Sequence, residues 1–193
     1  MFVQVIRGRT DDAEAVRRQF DRWTQDLKPG AAGYLGTTGG VTDDGELVVI
    51  ARFEDEESAR RNSDRPEQGS WWQETSKYIQ GATFSDSTEV DLLHGGGSND
   101  AGFVQVMQGR ATDKAALKAL EAEFESRAKE LRPDLLGGIT AWQGDAFTQA
   151  AYFTSEADAR ENEARSSGDE AMTQFTSLVT DLTFLDLRSP FLS

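Results

Sequence analysis

Cysteine is missing from all 193 residues and histidine occurs once. Disulfides, thiolate metal sites, iron–sulfur clusters, cysteine nucleophiles and any arrangement needing two imidazoles are therefore excluded. Basic residues are also few, with 20 Lys and Arg against 34 Asp and Glu, a formal charge of −14. Phosphate backbones and anionic lipid both need positive surface to displace counterions, so neither nucleic acid nor membrane is an expected partner. No apolar run approaches the ~18 residues of a spanning helix. The start, Met1-Phe2-Val3-Gln4-Val5, reads as a strand rather than a secretory leader, so a cytoplasmic location is the expectation. What is present suffices for a packed core: 37% of residues are hydrophobic, among them 11 Phe and 4 Trp.

The chain repeats itself. Phe2-Val3-Gln4-Val5-Ile6-Arg7-Gly8-Arg9 returns as Phe103-Val104-Gln105-Val106-Met107-Gln108-Gly109-Arg110, six of eight positions being identical at a spacing of 101. Phe20, Leu27 and Pro29 meet Phe124, Leu131 and Pro133 at a spacing of 104, and Ala51, Phe53, Ala59, Arg60 and Asn62 meet Ala151, Phe153, Ala159, Arg160 and Asn162 at 100. The expected cause is three residues gained at the start of the second half's first helix and four lost in its hairpin, sites where indels cost least. Residues 1–93 and 102–193 then form two repeats joined by a flexible Gly-rich linker, 94–101. Charge is shared evenly: 11 basic and 18 acidic groups lie in the first 94 residues, 9 and 16 in the rest.

Each half reads strand, helix, strand, strand, helix, strand. Val16, Phe20, Trp23 and Leu27 form one helical stripe, and Leu117, Leu120, Phe124 and Leu131 form its twin. Asp43-Asp44-Gly45 and Gly144-Asp145 are hairpin turns. The second helix breaks near Pro66 and resumes to about Ile79. This βαββαβ order is ferredoxin-like. A four-stranded sheet with both helices on one face leaves the other bare, which ~90 residues do not tolerate. The expected fold class is therefore α+β, two ferredoxin-like repeats packed sheet to sheet as an intramolecular pseudo-dimeric barrel. The chain is expected to be a monomer that is its own dimer, open to further self-association.

In this element order, its doubled Phe-Val-Gln-Val opening and the segment from Ala59 to Trp72, the sequence resembles the dimeric α+β barrel superfamily. Within it the chain is similar to the antibiotic-biosynthesis-monooxygenase-like group in fused tandem form, of an actinobacterial type. That resemblance implies a small-molecule pocket and a range of activities, cofactor-independent oxygenation of aromatic polyketides and haem degradation among them. Haem-degrading members place a histidine on the helix that carries Trp71 and Trp72, and this chain has none there.

The candidate site residues lie mostly in the first repeat. Asp64-Arg65-Pro66-Glu67 reads as a capping box with Asp64 as N-cap, repeated at Ser167-Gly168-Asp169-Glu170, and as a carboxylate pair with an anion clamp at Arg65. Comparison with Met172, Phe175 and Val179 assigns Trp72 to the core and leaves Trp71 as an additional aromatic, for a pocket, an inter-repeat seam or surface cover. Gln4 and Gln105 interrupt apolar strands and need partners, either across the pseudo-twofold or on a ligand. Asn62 suits a helix end, Tyr34 offers a phenol, and Arg52 a cation confined to one half. Trp71, Tyr78, Tyr34 and Arg52 have Ala171, Leu178, Gly138 and Tyr152 as counterparts, which puts the pocket mainly in the first repeat. His94 belongs to the linker, since no G-x-S-x-G elbow accompanies it. Asp43-Asp44-Gly45-Glu46 is explained as a turn, and Glu121-Glu123-Glu125 as a solvated face. No metal site and no cofactor are expected.

Two functions fit. One is a small-molecule-binding protein without chemistry. The alternative is a cofactor-independent monooxygenase of a small aromatic or polyketide-like substrate, with Trp71 stacking, Tyr34 and Gln4 polarising an oxygen, and Asn62 or Arg65 steadying an enolate.

Overall fold

An aromatic and β-branched run buried on both faces, Phe2, Val3, Val5 and Ile6, makes β1 (Phe2–Arg9) a strand, and Asp12 starts the helix after it. The Asp12 carboxylate accepts from the Ala15 N–H at 2.8 Å, and α1 (Ala13–Arg22) buries Ala15, Val16 and Phe20. A π turn, Trp23–Leu27, continues the same stripe before Pro29 ends it in a 3₁₀ turn. The hairpin β2 (Tyr34–Val41) and β3 (Glu46–Phe53) follows, then α2 (Glu56–Ser63), α3 (Pro66–Thr75), β4 (Gln80–Ser87) and β5 (Glu89–Leu93). The second half supplies β6 (Phe103–Ala111), α4 (Lys114–Leu131), β7 (Leu135–Gln143), β8 (Ala146–Phe153), α5 (Glu156–Ser166), α6 (Glu170–Ser177), β9 (Val179–Leu187) and β10 (Phe191–Leu192). This computed structural model describes residues 1–166 and 170–193, and, among these, not the side chains of 129, 166 and 171. Three positions of the second expected capping box, Ser167-Gly168-Asp169, lie outside the described residues.

The chain forms two α+β units, residues 1–90 with 189–193 and residues 91–188. Their antiparallel sheets run β10-β2-β3-β1-β4 and β5-β7-β8-β6-β9, the ferredoxin-like order with one edge strand added to each. The added strands are exchanged in sequence. β5 follows the first repeat yet joins the second sheet, and β10 ends the second repeat yet pairs with β2 through Phe191↔Gly39 and Leu192↔Thr38. The boundary thus falls three residues before the expected linker, and residues 93–96 form a turn closed by the Gly96 N–H on the Leu93 carbonyl at 2.9 Å.

Strand register corrects the expected pairing of the halves. Tyr34 lies opposite Phe53 and Leu135 opposite Phe153, so the counterpart of Tyr34 is Leu135, not Gly138. Both strands carry a bulge just after that point. The spacing of 101 between β1 and β6 is thus still 101 at Tyr34 and Leu135 and at Val41 and Trp142, and becomes 100 at Leu47 and Phe147, so the halves differ by one residue lost in the hairpin rather than by three gained before it and four lost within it. The stripe of α4 also ends differently. Ala128 is buried and Leu131 is exposed.

In the first unit one continuous core fills the space between sheet and helices: Ile6, Leu47 and Val49 meet Val16, Phe20, Trp23, Leu27, Trp71, Ile79 and Phe191. In the second unit the helix-facing core is split. Phe103, Ala128, Leu135, Phe153 and Ala159 form one cluster, and Ala111, Leu117, Trp142, Phe147 and Val179 form another.

Candidate functional site

Between those two clusters lies a cavity of about 940 Å³, floored by the second sheet and walled by α4, α5 and α6. Its volume falls within the range of small-molecule sites. The walls are mainly apolar, with Leu93, Met107, Phe124, Phe153, Phe175 and Phe184 among the lining residues. Two strand positions at the cavity differ between the halves. Val49 is replaced by Gln149 and Gly39 by Thr140. In the first unit the Phe191 ring sits where a Cβ on Gly39 would be, 2.1 Å from its Cε2, and stacks on Phe20 at 4.6 Å. Threonine at 140 forbids the same approach in the second unit.

Two polar groups break the apolar lining. At one, the Gln149 amide donates both to Glu121 Oε1 at 2.9 Å and to Thr140 Oγ1 at 2.8 Å. Burial pushes the Glu121 carboxyl above the usual carboxylate range, and neighbouring Asp91 adds to this. The Gln149 hydrogen bond and Lys118 act in the opposite direction. Lys118 is itself held by Asp91 at 2.8 Å, and the same carboxylate accepts from the Trp142 indole at 2.7 Å. At the other, buried Gln105 donates to Asp186 at 3.1 Å, and Asp186 also binds Arg160. Arg160 reaches Glu163 at 2.9 Å and lies 5.4 Å from the Phe103 ring centroid. Among the described residues no group of His, Asp and Glu is placed to hold a metal ion, and no helix is long and apolar enough to cross a membrane.

The residues singled out from sequence in the first repeat separate into several places. Tyr34 and Trp71 share the aromatic core, each packed on Trp23, with ring centroids at 4.8 and 6.4 Å. Trp71 is 4% exposed and donates to the Gln19 carbonyl at 2.8 Å, while Trp72 is half-buried. The expected order of the two tryptophans is thus reversed. The 3₁₀ turn at Ser76–Tyr78 breaks the helical phase: Thr75 and Ile79 of the expected stripe are buried, but the tryptophan buried with them is Trp71 rather than Trp72. The Tyr34 hydroxyl donates to Thr37 Oγ1 at 2.7 Å and lies 2.6 Å from Ser193 Oγ. Burial raises its pKa, against the lowering by Ser193, Thr37 and Arg52, so the phenol stays protonated. Arg52 lies beside Gly36, with a buried Nε that has no hydrogen-bond partner.

Arg65 and Asn62 meet away from those rings. Arg65 donates to Asn62 Oδ1 at 2.9 Å, to the Leu27 carbonyl at 3.0 Å and to Glu67 at 2.9 Å. This ties α2 to the end of the first helix, where a cation complements the exposed carbonyls. Asp64 is not the N-cap. Pro66 holds Arg65 in the extended conformation (φ −69°, ψ 129°), so Arg65 takes that position and no side chain caps α3. Gln4 donates to Asp86 directly across β1 and β4 at 2.9 Å, as Gln105 does to Asp186, so both amides find partners in their own sheets. Tyr78 is exposed in its 3₁₀ turn.

Glu121, Gln149 and Thr140 escaped sequence reasoning. The acidic run on α4 reads as solvated throughout, but of its three glutamates only Glu123 and Glu125 are exposed, while Glu121 is half-buried against the cavity. The available signal was Gln149 in the place of Val49, a polar residue inside an otherwise apolar strand.

No protein-family model matches the chain, and no curated protein matches it. Solved structures do. A candidate monooxygenase from Lactobacillus acidophilus superposes with a TM-score of 0.73 at 11% identity, over 100% of this chain and 99% of that one. One from Fusobacterium nucleatum gives 0.71 at 9% identity over 96% and 90%, and an anthrone oxidase-like protein 0.68 at 12% over 100% and 92%. At such identities the likeness concerns architecture: over its whole length the chain has the α+β fold of these monooxygenase-type proteins.

Proposed function

We propose that this protein binds a small, largely apolar molecule in the cavity of its second unit. The observation that carries this reading is the cavity itself, about 940 Å³ with aromatic walls and a buried carboxylate–amide–hydroxyl group. The expectation placed the pocket mainly in the first repeat because the extra aromatics are there. Those aromatics fill the space between sheet and helices, and their absence at the matched positions leaves room in the second unit.

Cofactor-independent oxygenation is the second reading. It is favoured by Glu121, which is positioned to take a proton from an acidic C–H or O–H of a ligand in the cavity. The resulting substrate anion would supply the electrons: a CH2 group loses both hydrogens and gains one oxygen atom of dioxygen as a carbonyl, the other oxygen leaving as water, and oxygen uptake with anthrone tests that step.

The binding reading is tested with Nile red, a neutral dye that brightens in apolar sites. Wild type should take up one equivalent, Ala151→Phe on the cavity floor should lose it, and Trp71→Ala should retain it. Loss in Trp71→Ala with retention in Ala151→Phe would return the ligand to the first unit.

A further inference from the structure

We infer that the second unit's cavity selects an organic cation, a molecule with an apolar, aromatic-sized body and a protonated amine seated against Glu121. The inference rests on the reading that this cavity is a ligand site.

The argument is one of unmatched hydrogen-bonding capacity. Glu121 accepts from Gln149 through one carboxylate oxygen, and among the described residues it forms no ion pair. Both amide hydrogens of Gln149 are engaged, one by Glu121 and one by Thr140, so what that side chain has left is its carbonyl oxygen, an acceptor. With Glu121 ionised, the group therefore offers acceptors where a ligand can lie, the Thr140 hydroxyl hydrogen being its one donor, and an ammonium brings three donors and a charge.

The cations of the wall point the same way. Lys118 holds Asp91 at 2.8 Å, Arg132 holds Asp134 at 2.8 Å, and Arg160 holds Glu163 at 2.9 Å as well as Asp186. The lining contains these three cations and five carboxylates, Asp91, Glu121, Glu125, Glu163 and Asp186. An anionic ligand would have to take a cation from an existing carboxylate partner. A cationic one fills a deficit, and Phe124, Phe175 and Phe184 supply ring faces for its body.

The charged and polar groups around Glu121 are Asp91 on β5, Lys118 and Glu125 one turn either way on α4, and Gln149 and Thr140 on the sheet. Burial and Asp91 favour its neutral form in the empty cavity, opposed by Gln149 and Lys118. A bound ammonium favours the ionised form, so uptake near neutral pH is accompanied by release of any proton Glu121 carries, and it weakens in acid.

The test uses one aromatic body with three charges, 1-naphthylmethylamine, 1-naphthalenemethanol and 1-naphthylacetate, titrated calorimetrically into the full chain. The amine should bind at least about tenfold more tightly than the alcohol, and the carboxylate most weakly, as expected for a buried countercharge. Glu121→Gln should bring amine and alcohol together. If that variant does not fold, wild type still decides: lowering the pH from about 8 to about 5 should weaken the amine and leave the alcohol unchanged. Equal binding of amine and alcohol, or preference for the carboxylate, overturns the cation assignment and leaves the ligand site standing. Binding of none of the three, together with no uptake of Nile red, overturns both.

Discussion

The two units have the same strand order, the same Phe-Val-Gln-Val opening and the same glutamine-to-aspartate pair across the first and last strands of the repeat, yet they use their helix-to-sheet space oppositely. The first fills it with Trp23, Trp71, Phe20 and Phe191, and the second leaves about 940 Å³. A few changes of side-chain volume account for this. Gly39 against Thr140 decides whether a large ring can lie over the strand. Val49 against Gln149 decides whether the remaining surface is apolar or can hold a polar group. Duplication supplies a scaffold twice, and side-chain volume sets how the space of each copy is used.

The sharpest way to break the comparison is to hollow the first unit. Trp71→Ala removes a buried indole that packs on Phe20, Trp23 and Trp72 and donates to Gln19. It should cost about 3–5 kcal/mol in chemical denaturation. If the comparison is sound, the folded variant also takes up a second equivalent of Nile red. Solidity without a measurable loss would show that Trp71 is not what fills the first unit.

A smaller effect separates the paired arginines. Arg65 clamps Asn62 and the Leu27 carbonyl with its side chain 18% exposed, whereas Arg165 is exposed and reaches Asn162 at 3.4 Å. Arg65→Met should cost about 1.5–3 kcal/mol by leaving a carbonyl and an amide oxygen without their donor. Arg165→Met should stay within about 0.5 kcal/mol. Equal losses would mean that the two helix junctions are built alike.

The floor of each unit gives a third contrast. Ala51→Phe in the packed first unit should cost about 1–3 kcal/mol through overpacking. Ala151→Phe has a cavity to enter and should stay within about 1 kcal/mol while abolishing dye uptake. Thermal denaturation of the pair, measured side by side, checks both halves of the statement.

Much of this architecture is legible without coordinates, because repetition and the apolar stripe of Val16, Phe20, Trp23 and Leu27 are properties of the chain itself. The register of Tyr34 is not, since Phe20 and Leu27 match Phe124 and Leu131 in sequence at a spacing of 104, whereas the strands on either side of the helix keep a spacing of 101. The exchange of β5 and β10 between sheets is also hidden, as a short edge strand carries no mark of the sheet it joins. The site was harder still. An additional tryptophan reads as a ligand platform, but a large side chain occupies space as readily as it lines it. The informative residue was the small one at the matched position, together with a glutamine where its twin has valine.

The smallest predicted effect concerns Glu121 and sharpens the comparison electrostatically, since the first unit has no matching carboxylate in its aromatic core. Burial, aided by Asp91, raises the Glu121 pKa in the folded state above its unfolded value. The folded chain therefore binds that proton more tightly than the unfolded one. The resulting stabilisation is fully present below the ordinary carboxylate pKa of about 4 and is lost as pH rises through the folded value. Above that point wild type carries the penalty of a desolvated carboxylate. Glu121→Gln keeps an acceptor for Gln149 without the charge, so it should melt at a higher temperature than wild type at about pH 8, with the gap closing near pH 4. Carboxylates elsewhere are common to both proteins and cancel in the difference. A saturating lipophilic amine should narrow or reverse the gap at high pH by stabilising wild type more than the variant. A gap that does not change with pH would mean that Lys118, despite its bond to Asp91, already neutralises Glu121.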